Sequence, residues 1–194
     1  MKKPVMNQPL ANEELMDRVR EGACEFLGVL FDRHHVALFN FFCRLTNDRA
    51  ASEDLVQETF YRMLKYHRSY KSGSCFEAWM YQIARNARTE SFLKRRGEVE
   101  LESAPMAVVL PIDSANDHQQ MSLLKKALSR LPEEKRELLV LSRFQGLKCE
   151  EIAAVLHCTA ATVRVRVHRA LQELKENYRC LEGQRRVKWG GMER

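Results

Sequence analysis

Arg164, Arg166, His168 and Arg169 crowd four cationic or protonatable side chains into one short stretch, chemistry suited to phosphates and base edges. Their backbone context reads two ways. Thr162-Val163-Arg164-Val165-Arg166-Val167-His168 alternates apolar with polar, the pattern of a strand. Helical spacing uses more of the sequence. Val163, Val167, Ala170, Leu171 and Leu174 fall at i, i+4, i+7, i+8 and i+11, one continuous apolar stripe. A strand would leave Ala170, Leu171 and Leu174 unexplained, so a helix is predicted. Ile152, Val155 and Leu156 give a matching face to a preceding helix. Two helices and a tight turn, with cations on the outer face of the second, make a helix-turn-helix whose second helix enters the major groove. Val165 is left stranded on the outside, where its methyl groups suit a thymine methyl.

Two further segments have the residue types for recognition. Glu53, Asp54, Gln57 and Glu58 share one helical face opposite Val56 and Phe60. Such a face is most often simply solvated, and it equally suits docking of a basic partner helix. Across residues 70–88, aromatics and cations interleave around a loop with Gly73, and the run Lys94-Arg95-Arg96 follows. Single-stranded nucleic acid asks for this mixture, because rings stack on unpaired bases while arginines follow the backbone. Phe76, Trp79 and Ile83 fall at i, i+3 and i+7, a core spacing. That leaves Tyr70, Lys71, Arg85, Asn86 and Arg88 as the expected contacts, with Trp79 placed to serve both purposes.

Catalysis and metal binding find little support. The six histidines form no H-E-x-x-H pair, and there is no glycine-rich phosphate loop or nucleophile motif. His34 and His35 sit mid-helix and read as surface or packing residues. Six scattered cysteines, with no C-x-x-C pair, argue against a zinc site or a disulfide framework. Neither a cofactor nor a metal is expected.

These residues must be positioned by helices, because helical periodicity dominates the chain. The pattern predicts helices over residues 12–21, 25–46, 52–66 and 76–96, with Ser52 as the start signal of the third and a loop over 68–75. After residue 96 the composition shifts, and Pro105 and Pro111 interrupt any stripe, so residues 97–118 are expected to be a linker. Helical pattern resumes at 119 and again behind Pro132. The expectation is an all-α chain: a helical domain at 10–96, a flexible linker at 97–118, a helix-turn-helix domain at 119–178 and a loose basic tail at 179–194. A net charge of +6 over 194 residues is compatible with a polyanionic partner. No apolar run is long enough to span a bilayer, and the first residues lack the apolar core of a secretion signal. A cytoplasmic protein is expected.

Three motifs, in order, resemble the bacterial RNA polymerase sigma factors of the extracytoplasmic-function class. Ala51-x-Glu-Asp-Leu-Val-Gln-Glu-Thr-Phe60 is similar to the family's core-polymerase-binding helix, and Phe76-x-x-Trp79-x-x-x-Ile83-Ala-Arg-Asn86 to its melting and upstream-recognition helix. Leu131-Pro132, Gly146-Leu-Lys-x-Glu-Glu-Ile-Ala153 and Thr162-Val-Arg-x-Arg166-x-His-Arg-Ala-Leu171 resemble its promoter-reading domain. The resemblance covers residues 10–96 and 119–178 and adds Lys148 and Thr162 to the expected DNA contacts. It implies a non-enzymatic subunit that binds core RNA polymerase and directs promoter recognition and melting for one regulon, stress- or envelope-responsive. Its DNA partners would be the single-stranded non-template strand and the duplex upstream element, and an anti-sigma factor would restrain it. Ala161, Val165 and Glu90 depart from the residues usual in the family. Two competing readings are a free-standing helix-turn-helix regulator, which has no use for Gln57 and Glu58, and a redox or zinc sensor built on Cys149 and Cys158.

Overall fold

The computed structural model describes residues 10–98 and 115–190. Eight α-helices are found there: α1 Asn12–Arg20, α2 Phe26–Thr46, α3 Arg49–Lys65, α4 Phe76–Glu98, α5 Ala115–Ser129, α6 Glu133–Leu139, α7 Cys149–Leu156 and α8 Ala160–Gly190. A 3-10 turn at His67–Ser69 precedes α4, and a π-helical turn at Val140–Phe144 follows α6. No strand occurs among the described residues.

In the N-terminal module α2 is the central rod, with Leu30, Leu38, Phe41 and Phe42 fully buried against α1, α3 and α4. Each such side chain contributes about 1.5–3 kcal/mol by leaving water. Asn47 ends α2 in the left-handed conformation at φ 55°. Asp48 then caps α3, its carboxylate accepting from Ala51 N at 3.0 Å. The helix therefore starts at Arg49 and not at Ser52. Ser52 lies inside it, fully buried, with its hydroxyl turned back onto the Asp48 carbonyl.

The second module departs from expectation at both ends. α4 runs to Glu98 and α5 begins at Ala115, both inside the expected linker, and residues 99–114 lie outside the described residues. α8 does not loosen at Arg179 but continues as a single helix of 31 residues. Its first half is held by the apolar stripe from Val163 to Leu174, and α5 lies alongside, with Asn177 Nδ2 donating to Ala127 O at 3.5 Å.

The modules are also not independent. Leu138, Leu141, Ile152 and Val155 join Phe41, Phe42, Tyr81 and Ala84 in one continuous core. Polar contacts pin the seam. Tyr81 donates to Gln145 Oε1 at 2.7 Å, Gln145 donates to Ala37 O at 3.4 Å, and Arg136 reaches Leu45 O at 3.3 Å. Gly146, at φ 71°, makes the sharp turn from the π-helical segment toward α7, a conformation other residues adopt at a cost.

Candidate nucleic-acid interface

α7 and α8 form the predicted helix-turn-helix. Glu151 Oε2 accepts from Lys148 N at 2.7 Å at the start of α7, and His157 closes that helix in the left-handed conformation at φ 52°. Thr159 caps α8, its hydroxyl oxygen accepting from Thr162 N at 3.2 Å. Thr162 is thereby half-buried, its own hydroxyl 2.9 Å from that of Thr159. Val163 and Ala170 are fully buried, with Val167, Leu171 and Leu174 packed partly against the core. At roughly 100° per residue, this leaves Val165 at the centre of the opposite face, between His168 and Arg169. Val165 is 51% exposed. Arg166, His168 and Arg169 are exposed and have no partner among the described residues. Arg164 is different, with Nη2 3.0 Å from Glu150 Oε1. Lys148 is exposed at the same end of α7.

The aromatic segment is arranged otherwise than expected. Tyr70 is 1% exposed, its ring edge-on to Trp79 at 5.3 Å between centroids and its hydroxyl donating to Ser74 O at 2.5 Å. Burial pushes its phenol up to about 12. Tyr70 is therefore a core residue of the N-terminal module and has no free ring face to offer a base. The ring joins the hydrophobic core of that module, a consequence of tertiary packing that residue spacing does not reveal. Trp79 is half-buried, while Lys71 and Asn86 are exposed and unpartnered among the described residues.

Arg85 and Arg88, also expected to be open to solvent, are engaged by the other module. Arg85 Nε lies 3.2 Å from Glu137 Oε2, and Arg88 Nη1 lies 2.5 Å from Glu133 Oε1. Glu133 and Glu137 were not among the residues singled out from sequence. Glu133 lies in an acidic first turn, which a helix dipole explains equally well, and Glu137 carries no local signal.

On α3 the acidic face divides in two. Glu53 pairs with Arg49 at 3.1 Å and Glu58 with Arg62 at 2.5 Å. Arg62 also forks onto Glu90 of α4 through Nη1 and Nη2, at 2.9 and 2.8 Å. Asp54 and Gln57 remain exposed with no partner among the described residues.

Among groups that could hold a metal, Glu13, Cys75 and Glu77 bring ligand atoms within 4.8 Å of one another. Each already has an internal partner: Phe76 N donates to Glu13, Asn12 Nδ2 to Glu77 Oε1, and Cys75 Sγ to Glu77 Oε2. The cluster ties α1 to the start of α4. Among the described residues, no helix is long and apolar enough to cross a membrane.

Comparison with known proteins gives this architecture a family. Residues 30–98 match the family model for Sigma-70 region 2, and residues 121–174 that for Sigma-70, region 4. The chain is 32% identical to the RNA polymerase sigma factor CarQ of Myxococcus xanthus, over 83% of this chain and 94% of CarQ. It is 34% identical to the ECF RNA polymerase sigma factor EcfG of Rhodopseudomonas palustris, over 67% of this chain and 72% of EcfG. The solved sigma factor RpoE of Bartonella quintana, in complex with the anti-sigma factor NepR, superposes with a TM-score of 0.66 at 28% identity, covering 78% of this chain and 96% of RpoE. The chain belongs to the ECF RNA polymerase sigma factors of the sigma-70 family. Its function is that of a promoter-directing transcription initiation factor.

Proposed function

We propose that this chain docks on core RNA polymerase through α3 and reads promoter DNA with two separate surfaces. Asp54 and Gln57 form the centre of the polymerase-binding face, with Glu53 and Glu58 at its edges. The outer face of α8 enters the major groove of the upstream duplex element, with Lys148 and Thr162 beside it. Lys71 and Asn86, with the exposed edge of Trp79, face the non-template strand where it opens, and Arg85 and Arg88, paired with Glu137 and Glu133 in the free chain, border that surface. The observation that carries this reading is the set of unpaired side chains Arg166, His168 and Arg169 around an exposed Val165. An apolar group left in water amid free cations on one helix face is a poor solubility choice and a good base-reading surface.

The chain has no reaction of its own in this reading; it acts in the cytoplasm by lending specificity to an enzyme. An anti-sigma factor restrains it, a proposal supported by the partner of the Bartonella relative. The test adds the purified chain to core polymerase and maps transcript starts genome-wide. A shared upstream element before the new starts is the expected result, and starts identical to those of core alone would reject it.

A further inference from the structure

The loop between Tyr70 and Phe76 is fastened from outside by α1, a helix that lies ahead of residues 30–98, the segment matched by Sigma-70 region 2. α1 is itself fixed, with Leu15, Met16 and Val19 buried in the core. Asp17 Oδ2 accepts a hydrogen bond from the Ser72 hydroxyl at 2.9 Å. One turn earlier Glu13 accepts from Phe76 N at 3.3 Å, and Asn12 Nδ2 donates to Glu77 Oε1 at 2.7 Å. One helix therefore holds both the tip of the loop and its exit into α4. We propose that Asp17 is a positioning residue for promoter opening, holding the loop in the form that presents Lys71 to the unpaired strand. This rests on the reading of Lys71, Asn86 and Trp79 as the strand-facing surface.

The local geometry shows what the tether adds. Lys71 to Ser74 form a four-residue turn, closed by Ser74 N donating to Lys71 O at 3.0 Å. Gly73 stands third in it at φ 76°, the left-handed value that a type II turn needs there. From the core side the Tyr70 hydroxyl holds Ser74 O, and from the α1 side Asp17 holds Ser72. Lys71, Ser72 and Gly73 are exposed, so water competes for the bonds of this turn. A turn left free must be ordered at the moment the strand binds, and a turn held beforehand avoids that entropic cost. The carboxylate is committed to this task. Asp17 Oδ1 is buried with no hydrogen-bond partner, which leaves Ser72 as the group that the side chain holds among the described residues. A carboxylate beside a surface that meets phosphates would otherwise repel them, and turning it onto a loop hydroxyl limits that effect.

The test uses the full chain assembled with core polymerase on a promoter recovered by mapping transcript starts. Permanganate reactivity reports opening, and filter binding at low temperature reports affinity of the closed complex. Asp17→Ala and Ser72→Ala are each expected to lower opening about three- to tenfold, the loss of one such hydrogen bond. Closed-complex affinity and thermal midpoint should stay unchanged. The double variant should open no worse than either single one, because both remove the same contact. Asp17→Asn, whose amide oxygen still accepts from Ser72, should recover most of the opening. Backbone amide relaxation of the free chain gives a readout that a purely structural role would not move. The order parameter of Gly73 should fall in Asp17→Ala and recover in Asp17→Asn. Additive losses in the double variant, no recovery in Asp17→Asn, or a fall in thermal midpoint that matches the loss of opening would each overturn the proposal. Lys71→Ala separates it from the reading on which it rests. Reduced opening in Lys71→Ala with normal opening in Asp17→Ala would keep the strand-facing surface and reject the positioning role. Normal opening in Lys71→Ala would reject that surface, and the role of Asp17 with it.

Discussion

Arg164 Nη2 lies 3.0 Å from Glu150 Oε1, so α8 approaches DNA with one of its arginines already tied to α7. Both side chains are more than 60% exposed, and such a pair is worth about 0–1 kcal/mol at most. Its effect is orientation. Arg169, with no partner among the described residues, is the arginine free to fork onto a base edge. Arg169→Ala is expected to cost about 1–3 kcal/mol and to relax specificity at one position, whereas Arg164→Ala weakens all sequences alike. Val165→Ser should shift preference at one base of the upstream element. A promoter-library readout checks all three; uniform loss in every variant would mean that this face positions the protein and reads nothing.

Asp54 and Glu58 differ in what a charge reversal removes. Asp54→Lys takes away a free carboxylate, while Glu58→Lys also sets a new cation beside Arg62 and leaves it only its fork onto Glu90. Asp54→Lys is therefore expected to abolish co-purification with core polymerase without changing the helical circular dichroism signal. Glu53→Lys, on the edge of the face, should weaken it less. Core retention equal to wild type in Asp54→Lys would exclude α3 as the docking helix.

Tyr70 and Lys71 are adjacent yet have opposite roles. Removing the fully buried Tyr70 ring should cost about 3–5 kcal/mol of stability, as large-to-small changes in a core do. Lys71→Ala should leave the thermal midpoint unchanged and reduce opening of the promoter by the polymerase complex. Thermal denaturation and permanganate reactivity of unpaired thymines separate the two. A stable Tyr70→Ala variant that fails only in melting would restore the ring to the DNA surface.

His34 makes stability depend on pH. Its ring packs against Phe76, and Nε2 is buried without a hydrogen-bond partner. Burial lowers its pKa below 6.5 and outweighs the opposing pull of Glu77. The unfolded chain, which titrates at the ordinary value, then binds the proton more readily than the folded one. Stability from this site is present above about pH 6.5 and declines as the pH falls through that value toward the lower folded pKa. His34→Gln should flatten this part of the stability profile in urea titrations repeated across pH. An unchanged slope would assign the acid sensitivity to other groups.

What the sequence determined by itself was local. The stripe from Val163 to Leu174 specified a helix over an apparent strand, because residues four and seven apart share one face whatever surrounds them. The same periodicity specified the helix order, the stranded position of Val165 and the acidic face of α3. What only the tertiary structure decided were juxtapositions between distant residues. Tyr70 has the type and position of a DNA contact, yet its ring packs into the core beside Trp79, and α3 starts at Arg49 because the end of α2 places the Asp48 carboxylate to cap it. Arg85 and Glu137 are 52 residues apart, and no spacing rule links positions on two different helices. Their pairing follows from how α6 packs across the seam, a matter of shape and shared apolar area, and it determines whether the cations of α4 face solvent or another part of the same chain.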